Sequence, residues 1–359
     1  MHFHNIKVNL SEQFLKLIAM AKKTKFYLLI ILILIIVIFV VAEIALRVLG
    51  FSSSADKPKL NIVVEPGITY FKKDNILGYT HLPGVYKITL NGNYTFVTSH
   101  NDNTLRITHP TAEDSLFVDL PKIWMMGGSI THGWSINDSE TFAWLVQDHF
   151  YNDYEIINFG VSGYGTIHSL LQILQALKTQ EKPEKIIIFY ASFHDMRNAF
   201  SARRKKAVTS MNFLGPLSQP YASLNDNNEL QIHNIDTVVY EEFFFADKLA
   251  VVNFLENVYL YFDGKFSDDQ EITKEILLKI NEICKENNIE FIVAGIFPDQ
   301  ETLNMLEFCN SKNINMLDIS VPKSKEYVNL PHDGHPSPLA NKIYSEKIIN
   351  YISNSKNNN

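Results

Sequence analysis

Residues 123–134 read "IWMMGGSITHGW". An apolar run from Ile123 to Met126 meets Gly127 and Gly128 and passes at once to Ser129, Thr131 and His132. A buried strand can end in any ordinary turn, so the paired glycines carry a more specific meaning. They open backbone conformations that other residues avoid and clear side chains from around Ser129. The stretch predicts a strand over 122–126 whose end displays a serine.

Downstream of this strand the pattern alternates. Helix 139–150, strand 155–159, helix 166–179 and strand 185–191 are predicted first. After a long segment, 193–265, come helix 270–287, strand 289–295, helix 301–312, strand 314–318 and helix 337–352. Such alternation predicts a parallel sheet covered by helices on both faces, with ligands beyond the carboxyl ends of the strands. Those ends deliver "GGSITHG", "NFGVSGYG" and "YASFHDMRN" to one edge, and "LPHDGHPSPLAN" precedes the last helix. Residues 208–235, with Gly215, Pro216, Pro220 and many asparagines, read as a surface excursion, either a lid or a plain insertion.

A serine becomes a nucleophile when a base takes its proton and an acid holds that base. Ser129, His335 and Asp333 supply the three types, with Asp318 as the fallback acid. Acyl transfer also needs N–H donors for a developing oxyanion, and the backbone N–H groups of Ser129 and Gly160 are the candidates.

On these four segments the chain resembles the SGNH/GDSL hydrolase superfamily over residues 120–352. The resemblance implies a flavodoxin-like three-layer α/β/α sandwich with a parallel sheet. It also implies Ser129 in "GGSITHG" as nucleophile, Gly160 in "NFGVSG" as an oxyanion glycine and His335 in "DGHPS" as base. Membrane-tethered members with the opening "EIALRVLGF" and a β-rich stretch before the domain look especially similar. Three positions depart from the superfamily pattern. Gly128 stands where the first block carries Asp. Residues 192–195, Ser-Phe-His-Asp, replace the third-block G-x-N-D, so His194 takes the place of the oxyanion Asn, with a donor strength that would change with pH near neutrality. Asp333 lies two residues before His335 rather than three, a spacing that Gly334 would ease.

Other readings compete at each motif. Ser129 alone would serve as a helix cap. "GVSGYG" lacks the G-x-G-x-x-G order of a dinucleotide site. His332 and His335, with His132 or His194, would offer a metal set, yet the expected chemistry needs neither metal nor cofactor. Trp134 stands close enough to the serine to line a pocket, while Trp124 and Trp144 read as packing residues. Arg197 and Asn198 either bind substrate or tie the third-strand loop to its neighbours.

The 359 residues carry a net charge of -7, which argues against a nucleic-acid partner. The basic cluster Arg203, Arg204, Lys205 and Lys206 reads as a solvated face. Two cysteines, Cys284 and Cys309, are expected as buried free thiols. Residues 26–42 hold no charge, and about 21 apolar residues at 1.5 Å each reach across a bilayer core of about 30 Å. Lys7, Lys16, Lys22, Lys23 and Lys25 precede this run against Glu12 alone, which predicts a cytoplasmic N-terminus and an extracytoplasmic domain. The expected organisation is a cytoplasmic 1–25, a transmembrane helix 26–48, a linker and small β-rich segment 49–116 with an Asn91-Gly92 hairpin, a hydrolase domain 117–353 and a disordered tail 354–359. The expected activity is that of a serine esterase on an acylated small molecule or glycan. An O-acyltransferase of cell-surface polysaccharide and a catalytically silent glycan-binding protein are the alternatives.

Overall fold

The computed structural model describes residues 2–56, 60–210, 214–215, 217–265 and 269–357. The chain divides into two compact units, one of residues 1–58 with 242–260 and one of residues 59–241 with 261–359.

In the first unit a helix runs from His2 to Val48, and its portion Lys22–Val48 is long and apolar enough to cross a membrane. The side chains of Phe26 to Val41 stand exposed around it, as they must on a lone apolar helix. Glu43, the one acid within the greasy stretch, has a structural task. Its carboxylate accepts the Ala250 and Val251 N–H groups at 3.1 and 2.8 Å. These are free donors at the start of the helix Ala250–Lys265, so Glu43 does the work of a cap from a distant element. Arg47 bonds Glu43 at 2.6 Å and the Lys248 carbonyl at 3.0 Å. Beside this joint Phe243, Phe244 and Phe245 are exposed, Phe244 by 82%. The helix Ala250–Lys265 lies in what the sequence left as a featureless long segment.

The second unit opens with antiparallel strands. Ile62–Glu65, Gly84–Leu90 and Tyr94–His100 form one sheet, and Phe71–Asp74 pairs with Gly78–His81. Asn91 and Gly92 both take positive φ at the hairpin. The parallel sheet follows, in the order Asn315–Asp318, Glu290–Gly295, Lys185–Tyr190, Lys122–Met126, Glu155–Asn158. Its third strand in sequence, "KIIIFY", is buried at every residue, which suits the centre of a sheet closed on both faces. Strand alternation divides the core. Trp124 and Met126 join an apolar cluster with the helices Thr166–Thr179, Asp269–Glu286 and Gln300–Ser311, whereas Ile123 and Met125 join another with Phe142–His149 and Pro338–Asn357. Cys284 and Cys309 are free and buried in the first of these clusters. The chain reverses direction across the sheet at Lys122–Met126, which lies between the strands that follow it, so the crevice at its carboxyl end is the topological switch point.

Several expectations change. Within residues 208–235 a two-stranded hairpin forms, Gln219–Leu224 with Leu230–Ile235, and Ala222 enters the core; Pro216 is outside the described residues. The last helix runs to Asn357, past the boundary expected at 353, and residues 358–359 are not described. Arg204 departs from the solvated cluster: it is buried and donates to Gln219 Oε1 at 2.9 Å.

Arg106 joins the antiparallel strands to the sheet. It is 1% exposed, and its guanidinium donates to Asp138 Oδ1 and to the carbonyls of Val97, His132, Gly133 and Ile136. Arg106→Ala removes the guanidinium donors from four carbonyls and leaves Asp138 with the Ser99 N–H. Chemical denaturation should show a loss of about 3–5 kcal/mol, and a loss under about 1 kcal/mol would contradict the bracing role.

Candidate active site

Ser129 opens the short helix Ser129–His132 at the carboxyl end of the strand Lys122–Met126. Gly127 is required by close approach, and Gly128 packs tightly against its neighbours. A Cβ on Gly127 would run into Thr131 Oγ1, and one on Gly128 would lie 3.1 Å from the Tyr164 carbonyl oxygen and 3.2 Å from His194 Nε2 and Arg197 Nη1. The missing side chain of Gly128 thus lets the serine turn lie close against two nitrogen-bearing side chains.

Ser129 Oγ lies 2.8 Å from His335 Nε2, and His335 Nδ1 lies 2.5 Å from Asp333 Oδ1. The Asp333 carboxylate gathers further donors. Oδ1 accepts the His335 backbone N–H at 2.7 Å, and Oδ2 accepts Trp134 Nε1–H at 3.0 Å. Burial opposes its charge, but the His335 hydrogen bond, His335 charge and Trp134 N–H outweigh burial and hold the carboxyl below the usual carboxylate range. Asn329 fixes the loop: its carbonyl accepts the His332 and Asp333 N–H groups, and its amide donates to the Ser135 carbonyl and hydroxyl.

The two-residue spacing of Asp333 and His335 works without special backbone. Gly334 has no positive φ, and a Cβ there would meet open space. The turn is closed by the bond from the His335 N–H to the Asp333 side chain, a local motif that any residue between them accommodates. Asp318 is remote from this series in role: it is exposed and accepts the Ser320 N–H.

The oxyanion expectation for Gly160 is overturned. Its N–H donates to Asn158 Oδ1 at 2.9 Å, and its Cα is pressed so closely on the Thr131–His132 backbone that a Cβ would lie 2.7 Å from Thr131 C. Gly160 is a packing glycine. Gly163, in the turn closed by the Tyr164 N–H to the Val161 carbonyl, has φ of +88°, and its N–H, like that of Ser129, meets no acceptor among the described residues. Both glycines of "GVSG" suit the motif, and the Asn158 side chain engages the N–H of the first.

His194 does lie against Gly128, but it is not a neutral-pH switch. Burial first, and then the Arg197 charge, lower its pKa well below that of an ordinary histidine, so it stays an uncharged imidazole. Arg197 donates to the Tyr164 carbonyl at 2.8 Å and packs over Phe193. Asn198 is buried: Oδ1 accepts the Ile167 N–H and Nδ2 donates to Thr273 Oγ1, so it ties helices together. Trp134 supports Asp333 rather than simply lining a pocket. His332 stacks on Tyr94 at 4.7 Å, and the metal set suggested around Asp333 does not assemble; His132 groups instead with His81 and His100.

Neither protein-family models nor curated protein sequences give a match to the chain. Solved structures do. A lipolytic protein of the G-D-S-L family from Veillonella parvula is 10% identical, with 65% of this chain and 98% of that chain covered, at a TM-score of 0.38. The psychrotrophic esterase from Pseudoalteromonas sp. is 12% identical, with 66% and 98% covered, also at 0.38. A carbohydrate acetylesterase family member from Sinorhizobium meliloti is 9% identical, with 65% and 97% covered, at 0.36. Likeness at this level leaves the chemistry to be read from the side chains.

The two glycines make a clean contrast. Gly334→Ala should change unfolding free energy by less than about 0.5 kcal/mol, while Gly160→Ala should cost about 2 kcal/mol or more through the forced backbone shift. Equal effects in paired thermal melts would contradict the close-approach reading.

Proposed function

We propose that the chain is a membrane-anchored serine esterase of SGNH/GDSL type, built on a flavodoxin-like α/β/α domain outside the cytoplasm and acting on O-acyl esters of carbohydrate or envelope material. The observation that carries the reading is the unbroken hydrogen-bonded series from Ser129 Oγ through His335 to Asp333. His335 Nε2 takes the Ser129 proton as Oγ attacks the ester carbonyl, and Asp333 stabilises the imidazolium that forms. The carbonyl electron pair moves to oxygen, where the Ser129 and Gly163 N–H groups and His194 Nε2–H are the donors that this arrangement offers. Collapse expels the alcohol, which takes its proton from His335. Water, activated by the same base, then releases the acid from Ser129. Arg197 keeps its charge at neutral pH, with burial lowering its pKa only to about 9, and brings that positive charge beside Gly128.

Anchoring is supported by the exposed apolar helix and by Phe243–Phe245 at the joint with its end. The lysines before the span favour a cytoplasmic N-terminus. A site tethered at the membrane surface suits acylated glycans of the envelope as substrates. The full chain should stay with membranes through alkaline carbonate extraction and be released by deletion of residues 1–48; full extraction of the intact chain would contradict the anchor.

Ser129→Ala should abolish turnover of an aryl acetate, a loss of about 10⁴-fold or more, with the circular dichroism spectrum unchanged. His194→Ala should lower kcat about 10²-fold, and His194→Asn should restore most of it. Since His194 is uncharged through the neutral range, neither change should move the acidic limb of the pH profile. Full activity in Ser129→Ala would end the nucleophile assignment, and a shifted acidic limb in His194→Asn would end the account of His194.

A further inference from the structure

Three histidines that the esterase chemistry does not use meet in the interior of the second unit. His81 ends the strand Gly78–His81, His100 ends the strand Tyr94–His100, and His132 closes the helix that Ser129 opens. They are 0%, 4% and 0% exposed. One ring nitrogen from each lies within 4.8 Å of the others, and His100 Nε2 and His132 Nε2 are 3.0 Å apart.

As a purely protein cluster this arrangement leaves polar groups unmet. His81 Nε2 and His132 Nδ1 have no hydrogen-bond partner, and buried nitrogens of this kind are rare because each forfeits its hydration. The same features suit metal binding. His81 Nδ1 faces the Thr104 carbonyl at 3.3 Å, the outer-shell contact that fixes a tautomer and directs Nε2 inward. Tyr70 stacks against the His100 and His132 rings at 5.5 and 6.2 Å and walls off one side.

Two features oppose a cation, and both are met locally. Arg106 adds positive charge, but Asp138 pairs with it at 3.0 Å and carbonyls take its remaining N–H groups. His81 and His100 are stacked 18° from parallel, so their lone pairs converge on one ion only after rotation about Cβ–Cγ. Metal–nitrogen bonds of about 2.0–2.1 Å place tetrahedral ligand nitrogens about 3.3 Å apart, near the separation that His100 and His132 already have.

We propose that His81, His100 and His132 bind one divalent first-row transition-metal ion, zinc foremost, which clamps the serine turn to the antiparallel strands. Imidazole ligands suit zinc, and they also accept cobalt, nickel and copper. The ion is structural: it holds the helix bearing Ser129 and takes no part in the ester chemistry. This inference stands whether or not Ser129 is a nucleophile.

The test uses the full-length chain in detergent, purified through a tag without histidine. Elemental analysis should find about one zinc per chain, and cobalt loading of the stripped protein should give visible d–d absorption that zinc abolishes. Zinc should also raise the unfolding temperature of the stripped protein by about 5 °C. His100→Phe keeps an aromatic ring in the stack but removes a ligand, so a folded variant should lose the metal and the cobalt band. A natively folded chain that holds less than about 0.1 equivalent of any first-row metal after loading, with no cobalt band, overturns the proposal. So does full stoichiometry retained in His100→Phe.

Discussion

The Asp333 carboxylate is the point on which the candidate site closes. It accepts from the His335 ring, from the His335 backbone and from the Trp134 indole, and Trp134 itself follows the helix that Ser129 begins. One buried charge therefore joins the loop before the last helix to the turn after the first sheet strand, two places about two hundred residues apart in sequence. The donors around this carboxylate outweigh its burial and hold it below the usual carboxylate range, and its charge orients the imidazole toward Ser129.

The same logic of close approach explains the glycines. Gly127 and Gly128 are small because Thr131, Tyr164, His194 and Arg197 crowd the serine turn, and Gly160 is small because it lies on the backbone of the helix that carries the serine. Steric room on one side and tight packing on the other fix that helix in place. Arg106 holds it from a third side through the His132 and Gly133 carbonyls.

The sheet and its helices were legible from residue 120 onward because each strand is a short apolar run bounded by turn residues and each helix a longer periodic one. Ser129 was legible as a chemical type at a strand end, and His335 and Asp333 as types in the loop before the last helix. The engagement of the Gly160 N–H was not, since it depends on a side-chain bond from Asn158 that motif spacing does not encode. The helix Ala250–Lys265 escaped notice for a related reason: the carboxylate at its start is Glu43, 207 residues away from Ala250. Arg106 and the three buried histidines are dispersed over residues 81–132 and become a group only when the antiparallel strands fold onto the serine helix. Local pattern gave the elements, and contacts between distant segments decided what their polar residues do.

The central claim is that His335, held by Asp333, activates Ser129. Mass spectrometry of the folded chain after treatment with a fluorophosphonate probe reads this directly. The account predicts one adduct per chain on the peptide containing Ser129, lost in His335→Ala. A folded chain that takes no adduct, or takes it on another serine, would contradict it.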